Sequence, residues 1–281
     1  MSAPRSRRRP PRRRGVGGSD LGRRILVAVP AAAYAIFIIA SGGWIFAVGV
    51  LILGVVCLHE LFRMYDALRP VKLAGFLALG GLAVAAQEGG ERQVLLALVA
   101  FVPLMFLIGA AMPRRDGATL TEGMALTVLG VVWIGMAIAH AVLLRGLPHG
   151  DGIVIDVLVG TFVGDTGAYI GGRWFGTRPL APRISPNKTV EGLMIGFLCA
   201  VIATWAAGLY QDWLTHGQAL ILGAAVGLVA PIGDLMESAI KRDAGTKDAG
   251  SMFGAHGGAL DRLDAAFFTL VCGYYVWLAM L

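Results

Sequence analysis

Apolar runs and short polar breaks alternate along the whole chain. The runs fall at about 24–41, 43–65, 71–88, 93–112, 121–145, 152–172, 189–210, 217–240 and 260–281. An α-helix needs roughly 20 mostly apolar residues to cross the hydrocarbon of a bilayer, and each run supplies about that many. A helix at the edge of a soluble core keeps a polar stripe, whereas VLLALVAFVPLMFLIGAAM, from Val94 to Met112, has none. Glycine and proline inside several runs fit lipid-embedded helices, which tolerate both. The pattern predicts an all-α, polytopic integral membrane protein of about nine transmembrane helices. The gaps are too short for a soluble domain, so residues 23–281 are expected to form one transmembrane domain, preceded by a disordered Arg-rich tail over 1–22.

Composition agrees with the pattern. The 281 residues are 57% hydrophobic and only 15% charged, with 40 glycines, which excludes an ordinary soluble globular enzyme. The positions of the cations add an orientation. Nine spans put the termini on opposite sides, and of the 24 Lys and Arg residues only Arg92 and Arg145 fall on the side away from the N-terminus. The positive-inside rule makes the N-terminal side cytoplasmic, so a multi-pass protein of the inner, cytoplasmic membrane is expected. The tail, with its RSRRRPPRRR run, reads as an orientation signal touching anionic headgroups rather than as a nucleic-acid arm, and no nucleic-acid partner is expected. Cys57, Cys199 and Cys272 lie inside apolar runs without ligand spacing and read as small buried hydrophobes.

With this sidedness the two longest polar connections face the cytoplasm. They are GGRWFGTRPLAPRISPNK, between the sixth and seventh runs, and KRDAGTKDAGSMFGAHGGALDRLD, between the eighth and ninth. The catalytic half is therefore placed at about 152–281. Ionisable residues within spans mark function by default. Asp165 sits near the end of the sixth run and Asp234 near the end of the eighth, with Glu237, Ser238 and Lys241 on the same helical face. Asp261 and Asp264 open the ninth, three residues apart. Mutual cancellation with neighbouring cations is a poor route to stability for so many charges near hydrocarbon, so the acids are expected to converge on a shared task. The seventh and ninth helices start at this same face, where free N–H groups and the positive dipole end favour phosphate. Gly257 and Gly258 allow close approach of a ligand to the backbone. Lys188, Lys241, Arg242, Lys247 and Arg262 supply positive charge. A phosphate cradle beside a metal cradle suits a nucleoside triphosphate with Mg²⁺. His256 either contacts phosphate or bonds nearby backbone. His59, Glu60 and Arg63 read as a local pairing in the second run, and the glycine pairs 167/171 and 172/176 as helix packing. His140, His149 and His216 show no metal-ligand spacing.

The stretch SAIKRDAGTKDAGSMFGAHGGALDRLD, residues 238–264, closely resembles the signature of the phosphatidate cytidylyltransferase (CDP-diacylglycerol synthase) family. The matching residues are Ser238, Lys241, Arg242, Lys247, Asp248, Gly250, Phe253, Gly254, His256, Gly257, Gly258, Asp261, Arg262, Leu263 and Asp264. Ala259 departs from the larger aliphatic residue usual there, a change of packing more than of chemistry. Upstream, Asp165, Thr166, Ala168 and Tyr169, then Ser185, Pro186, Lys188, Thr189, Glu191 and Gly192, are also similar to the family. The motifs cover roughly the last 40% of the chain, and the first five runs match only in hydropathy. The resemblance implies transfer of a cytidylyl group from CTP to phosphatidic acid, giving CDP-diacylglycerol and pyrophosphate. It further implies Mg²⁺ at Asp234 and Asp261, a second, monovalent cation such as K⁺, and a possible homodimer. Asp165 and Asp264 are expected as supporting acids, and Lys188, Lys241, Arg242, Lys247 and Arg262 as phosphate partners. Ser185, Ser238, Asp248, His256, Gly257 and Gly258 complete the expected substrate site. A CTP-dependent lipid-alcohol kinase would need a base for its hydroxyl substrate. A CDP-alcohol phosphotransferase would space its acids four apart. An ion-coupled transporter would show an inverted repeat with acids at mid-membrane.

Overall fold

The computed structural model describes residues 18–113, 117–250 and 257–281. In chain order the helices are α1 (Gly18–Ser41), α2 (Gly43–Met64), α3 (Lys72–Gly89), α4 (Glu91–Ala111) and α5 (Leu120–Gly130). A π-turn (Val131–Gly135) leads from α5 into α6 (Met136–Gly146), and α7 (Gly150–Phe175) follows. A hairpin of β1 (Pro179–Ala181) and β2 (Ser185–Thr189) precedes α8 (Val190–Ala207), α9 (His216–Asp243) and α10 (Leu260–Leu278). Each of the nine predicted runs lies on a helix, the fifth being α5 and α6 joined through the π-turn. Among the described residues, six helical stretches are long and apolar enough to cross a membrane: Gly43–Met64, Glu91–Ala111, Leu120–Gly146, Gly150–Phe175, Val190–Gly208 and His216–Asp243. The protein is thus all-α and membrane-spanning in character. The tail over 1–17, Arg114, Arg115 and His256 lie outside the described residues.

Local chemistry sets the breaks. Gly42 and Gly90 take φ of 65° and 79°, which glycine adopts without strain, and each turns one helix into the next. Thr119 with Glu122, and Thr215 with Gln218, form reciprocal capping boxes that satisfy the first free N–H groups of α5 and α9. The connection after α7, read from sequence as a polar loop, is instead the hairpin, with Ala181 opposite Ser185 and Pro179 opposite Thr189. Strands this short leave no alternating pattern to read. Their base is clamped by Glu191, which accepts from the Thr177 and Arg178 N–H groups (3.0 and 3.1 Å), from Thr177 Oγ1 (2.9 Å) and from Arg178 Nε (2.9 Å).

Small residues bring α7 and α8 together. A Cβ added at Gly196 would stand 2.7 Å from Ala168 Cβ and 2.9 Å from Gly164 O, and one at Gly167 would meet Cys199 Cβ at 2.7 Å. Such close backbone approach is the usual basis of helix association in lipid, and it accounts for Gly167 and Gly171 as packing residues. A second cluster, including Leu58, Leu61, Phe62, Leu79, Leu82 and Ile134, fills the space between α2, α3 and the π-turn. Leu95, Val99, Phe106 and Leu107 of α4 point outward, an apolar surface suited to acyl chains.

The bundle has two chemically different ends. At one, Tyr65 Oη donates to Ile240 O (2.7 Å) and Lys188 meets Asp234, so the ends of α2 and α9 and the start of α8 lie together. At the other, Arg145 Nε donates to Ile39 O (2.8 Å), Trp277 Nε1 to Pro148 O (2.9 Å) and Gln211 Nε2 to Asp156 (3.0 Å). The first end holds the residues singled out from sequence.

Candidate active site

Three carboxylates meet where α9 runs beside the start of α10. Gly233 lets the helices touch: a Cβ there would stand 3.0 Å from Ala265 Cα. This approach brings Asp264 against the next turn of α9, and one oxygen from each of Asp234, Glu237 and Asp264 lies within 4.8 Å of the others. Glu237 and Asp264 are buried, at 1% and 7% exposure, whereas Asp234 faces the cleft with its side chain 35% exposed. Glu237 Oε1 is buried with no hydrogen-bond partner among the described residues. Three acids with an orphaned acceptor among them form an all-oxygen, anionic donor set, which fits a hard divalent cation.

Lys241, one turn beyond Glu237, bridges two acids. Its Nζ is 2.6 Å from Glu237 Oε2 and donates to Asp261 Oδ1 at 2.7 Å. Asp261 also accepts from the N–H groups of Ala249 (3.0 Å) and Gly258 (2.6 Å). The two acids of the Asp-Arg-x-Asp turn therefore do different things here. Asp264 completes the acidic trio, and Asp261 gathers the cation of α9 and the N–H groups of Ala249 and Gly258.

Beside the trio, a cleft of about 470 Å³ opens between α7, α8 and α9. Its polar end is formed by Asp165, Tyr169, Arg173, Asn187, Lys188 and Asp234, and its floor by small and apolar residues that include Gly164, Ala168, Gly196 and Ala200. Lys188 Nζ lies 2.5 Å from Asp234 Oδ2 as an ion pair at the polar end of the cleft. Asp165 is within electrostatic reach of Asp234, Asp264 and Lys188. A charged head over an apolar floor is a shape for an amphiphile.

The remaining expected residues sit around this centre. Ser185 is on β2, and Ser238 is half-buried on α9. Arg242 is exposed and donates long bonds to Ile184 O and Thr246 O, both at 3.4 Å, which join the hairpin tip to the end of α9. Lys247, Asp248 and Arg262 are exposed, and Gly257 and Gly258 are buried. His149 stacks on Trp213, and His140 lies within 3.0 Å of Tyr275 Oη, both away from the acids.

Two expectations change. The helix starts were expected to offer free N–H groups, yet Gly192 N–H is taken by Thr189 Oγ1 (3.1 Å), Gly258 N–H by Asp261, and Leu260 N–H by Glu60 Oε2 (2.9 Å). Buried donors take the nearest acceptor, and both α10 contacts use a carboxylate. Glu60, expected to pair only locally, reaches across 200 positions to α10. Its one sequence signal was an acid inside an apolar run.

An acidic trio beside a cleft that carries both signs of charge, in a bundle of membrane-spanning character, defines the class: a polytopic membrane protein with a charged site at one end. The chain belongs to the cytidylyltransferase family, whose family model matches residues 22–280. It is similar to the phosphatidate cytidylyltransferase of Bacillus subtilis (strain 168), 31% identical over 267 residues, covering 92% of this chain and 97% of that protein. The proteins of the same name from Staphylococcus aureus (strain COL) and Staphylococcus epidermidis (strain ATCC 12228 / FDA PCI 1200) are 29% identical over 256 residues and 28% over 254. Each match covers 88% of this chain and 95% of the relative.

Proposed function

We propose that the protein transfers the cytidylyl group of CTP to phosphatidic acid, releasing CDP-diacylglycerol and pyrophosphate. The observation that carries this reading is the match over nearly the full length to proteins named for that reaction. The gathering of Asp165, Lys188, Asp234, Glu237, Lys241, Asp261 and Asp264 at one end of the bundle supports it. A phosphatidate oxygen forms a bond to the α-phosphorus of CTP, and the bond from that phosphorus to the bridging oxygen of the β-phosphate breaks. The electron pair leaves on pyrophosphate. The nucleophile is already anionic, so no strong base is needed. The obstacle is bringing two polyanions together, and the answer to that is positioning and charge neutralisation.

Asp234, Glu237 and Asp264 are the residues that would hold Mg²⁺, with Asp261 beside them through Lys241. The ion supplies charge neutralisation at the phosphates. Lys188, which lines the cleft and pairs with Asp234, is the first phosphate partner, and Arg242, Lys247 and Arg262 face the same end. Lys241 bridges Glu237 and Asp261 and offsets their mutual repulsion. The apolar floor of the cleft takes acyl chain while the headgroup stays beside Lys188. This end faces the cytoplasm, where CTP is found, and the fold then has nine spans with its N-terminus inside.

The test is an assay of protein purified in detergent with CTP, phosphatidate and Mg²⁺, leaving out each in turn. Pyrophosphate is expected only when all three are present. Pyrophosphate formation without phosphatidate would remove the reading.

A further inference from the structure

Glu60, the acid of α2, is buried at 6% exposure, and among the described residues its hydrogen-bond partner, Leu260, belongs to the distant signature segment. Oε2 accepts the Leu260 N–H in the first turn of α10, where a carboxylate also meets the positive end of the helix dipole. Its carboxylate also lies over two glycine backbones. A Cβ added at Gly250 would stand 2.7 Å from Glu60 Cδ, and one added at Gly258 would stand 2.6 Å from it. Neither glycine has positive φ, in contrast to Gly257 at 83°, so the backbone itself would accept alanine at 250 and 258. Space is what excludes it, and Glu60 occupies that space. The Gly258 N–H, on the backbone that Glu60 covers, donates to Asp261, which puts Glu60 beside the same acidic region. The end of α2 is pinned there twice more, by Tyr65 to Ile240 and by Thr246 Oγ1 near Met64 Sδ at 3.7 Å.

We infer that Glu60 is a positioning residue of the site: its carboxylate fixes the two ends of the 250–258 segment and the start of α10, and glycine is required at 250 and 258 to admit it. The inference rests on the cytidylyltransfer reading, and it ties the N-terminal half, which carries none of the signature, to the geometry of the acids. Glu60 touches no reacting atom. What it supplies is an acceptor of fixed place, without which Asp261 and Asp264 enter α10 at a different angle.

The experiment is a double-mutant cycle on the full-length protein in detergent, with the wild type assayed first so that failure of the transfer reading itself is seen separately. Glu60→Ala is expected to lower kcat by about 100-fold, as small displacements of reacting groups do, with far smaller change in KM for CTP. Glu60→Gln keeps an acceptor at the same place and is expected to stay within about threefold of wild type. Gly258→Ala is expected to be severely impaired in the wild-type background and to cost less than about threefold when added to Glu60→Ala, since the obstructing group is gone. Monodispersity and thermal unfolding of each variant report folding. Equal loss from Gly258→Ala in both backgrounds, or loss in Glu60→Gln as deep as in Glu60→Ala, would overturn the assignment. So would normal kcat in a folded Glu60→Ala protein.

Discussion

Lys241 stands between two acids that would repel one another without it. With side-chain exposures of 13% for Lys241, 2% for Glu237 and 11% for Asp261, the three are held largely out of water. Breaking a buried pair from one side leaves an uncompensated charge, which typically costs about 3–5 kcal/mol. Lys241→Met is therefore expected to lower the unfolding temperature sharply in detergent. Adding Glu237→Gln should return part of that loss, because one of the two stranded charges is removed. Equal unfolding temperatures for wild type and Lys241→Met would contradict the bridge. The residue scale is also where sequence reading reached furthest and stopped. Asp234, Lys241, Asp261 and Asp264 were legible because an acid or a cation within apolar sequence is costly and so informative. Their division of labour was not legible. Asp261 and Asp264 share a helical face by spacing, yet one turns to Lys241 and the other to Glu237, a choice made by how closely α9 and α10 approach at Gly233.

At the scale of elements, the helices follow from hydropathy, and the limits of the prediction are short-range features. The hairpin of β1 and β2 carries only three and five residues, too few for a pattern, and is held by Glu191 from the following helix. The π-turn inside the fifth run leaves hydropathy unchanged. The pairing of α7 with α8 was readable in part, from glycines spaced four apart, but the partner glycine, Gly196, was not. Since α7 carries Asp165 and the start of α8 follows Lys188, their spacing sets the width of the cleft. Gly196→Val should force the helices apart, costing about 1–3 kcal/mol in stability as overpacking does, and should lower activity more than Ala200→Gly, which removes volume instead. The check is thermal unfolding alongside turnover in the same detergent. A Gly196→Val protein as stable and active as wild type would mean that α7 and α8 do not meet there.

Across the whole molecule, the two ends of the bundle carry different chemistry. One gathers the acidic trio, Asp261, Lys188 and Lys241. The other carries Asp156 with Gln211, Arg145 bound to a backbone carbonyl, and stacked aromatic rings. The placement of Lys and Arg along the sequence already separates the two ends, since only Arg92 and Arg145 of the 24 fall on the second. It did not reveal that α2 reaches the site, since a contact across 200 positions leaves no periodic trace. The central claim is that the acid-rich end handles CTP at the cytoplasmic face and passes its α-phosphate to lipid. The most direct measurement adds CTP labelled at either the α- or the γ-phosphate to sealed, phosphatidate-loaded vesicles of known orientation, with Mg²⁺ present. The account predicts labelled lipid only from α-labelled CTP, and only in vesicles whose cytoplasmic face is outward until the others are permeabilised. Label entering lipid from the γ-phosphate, or equal labelling in intact vesicles of both orientations, would contradict it.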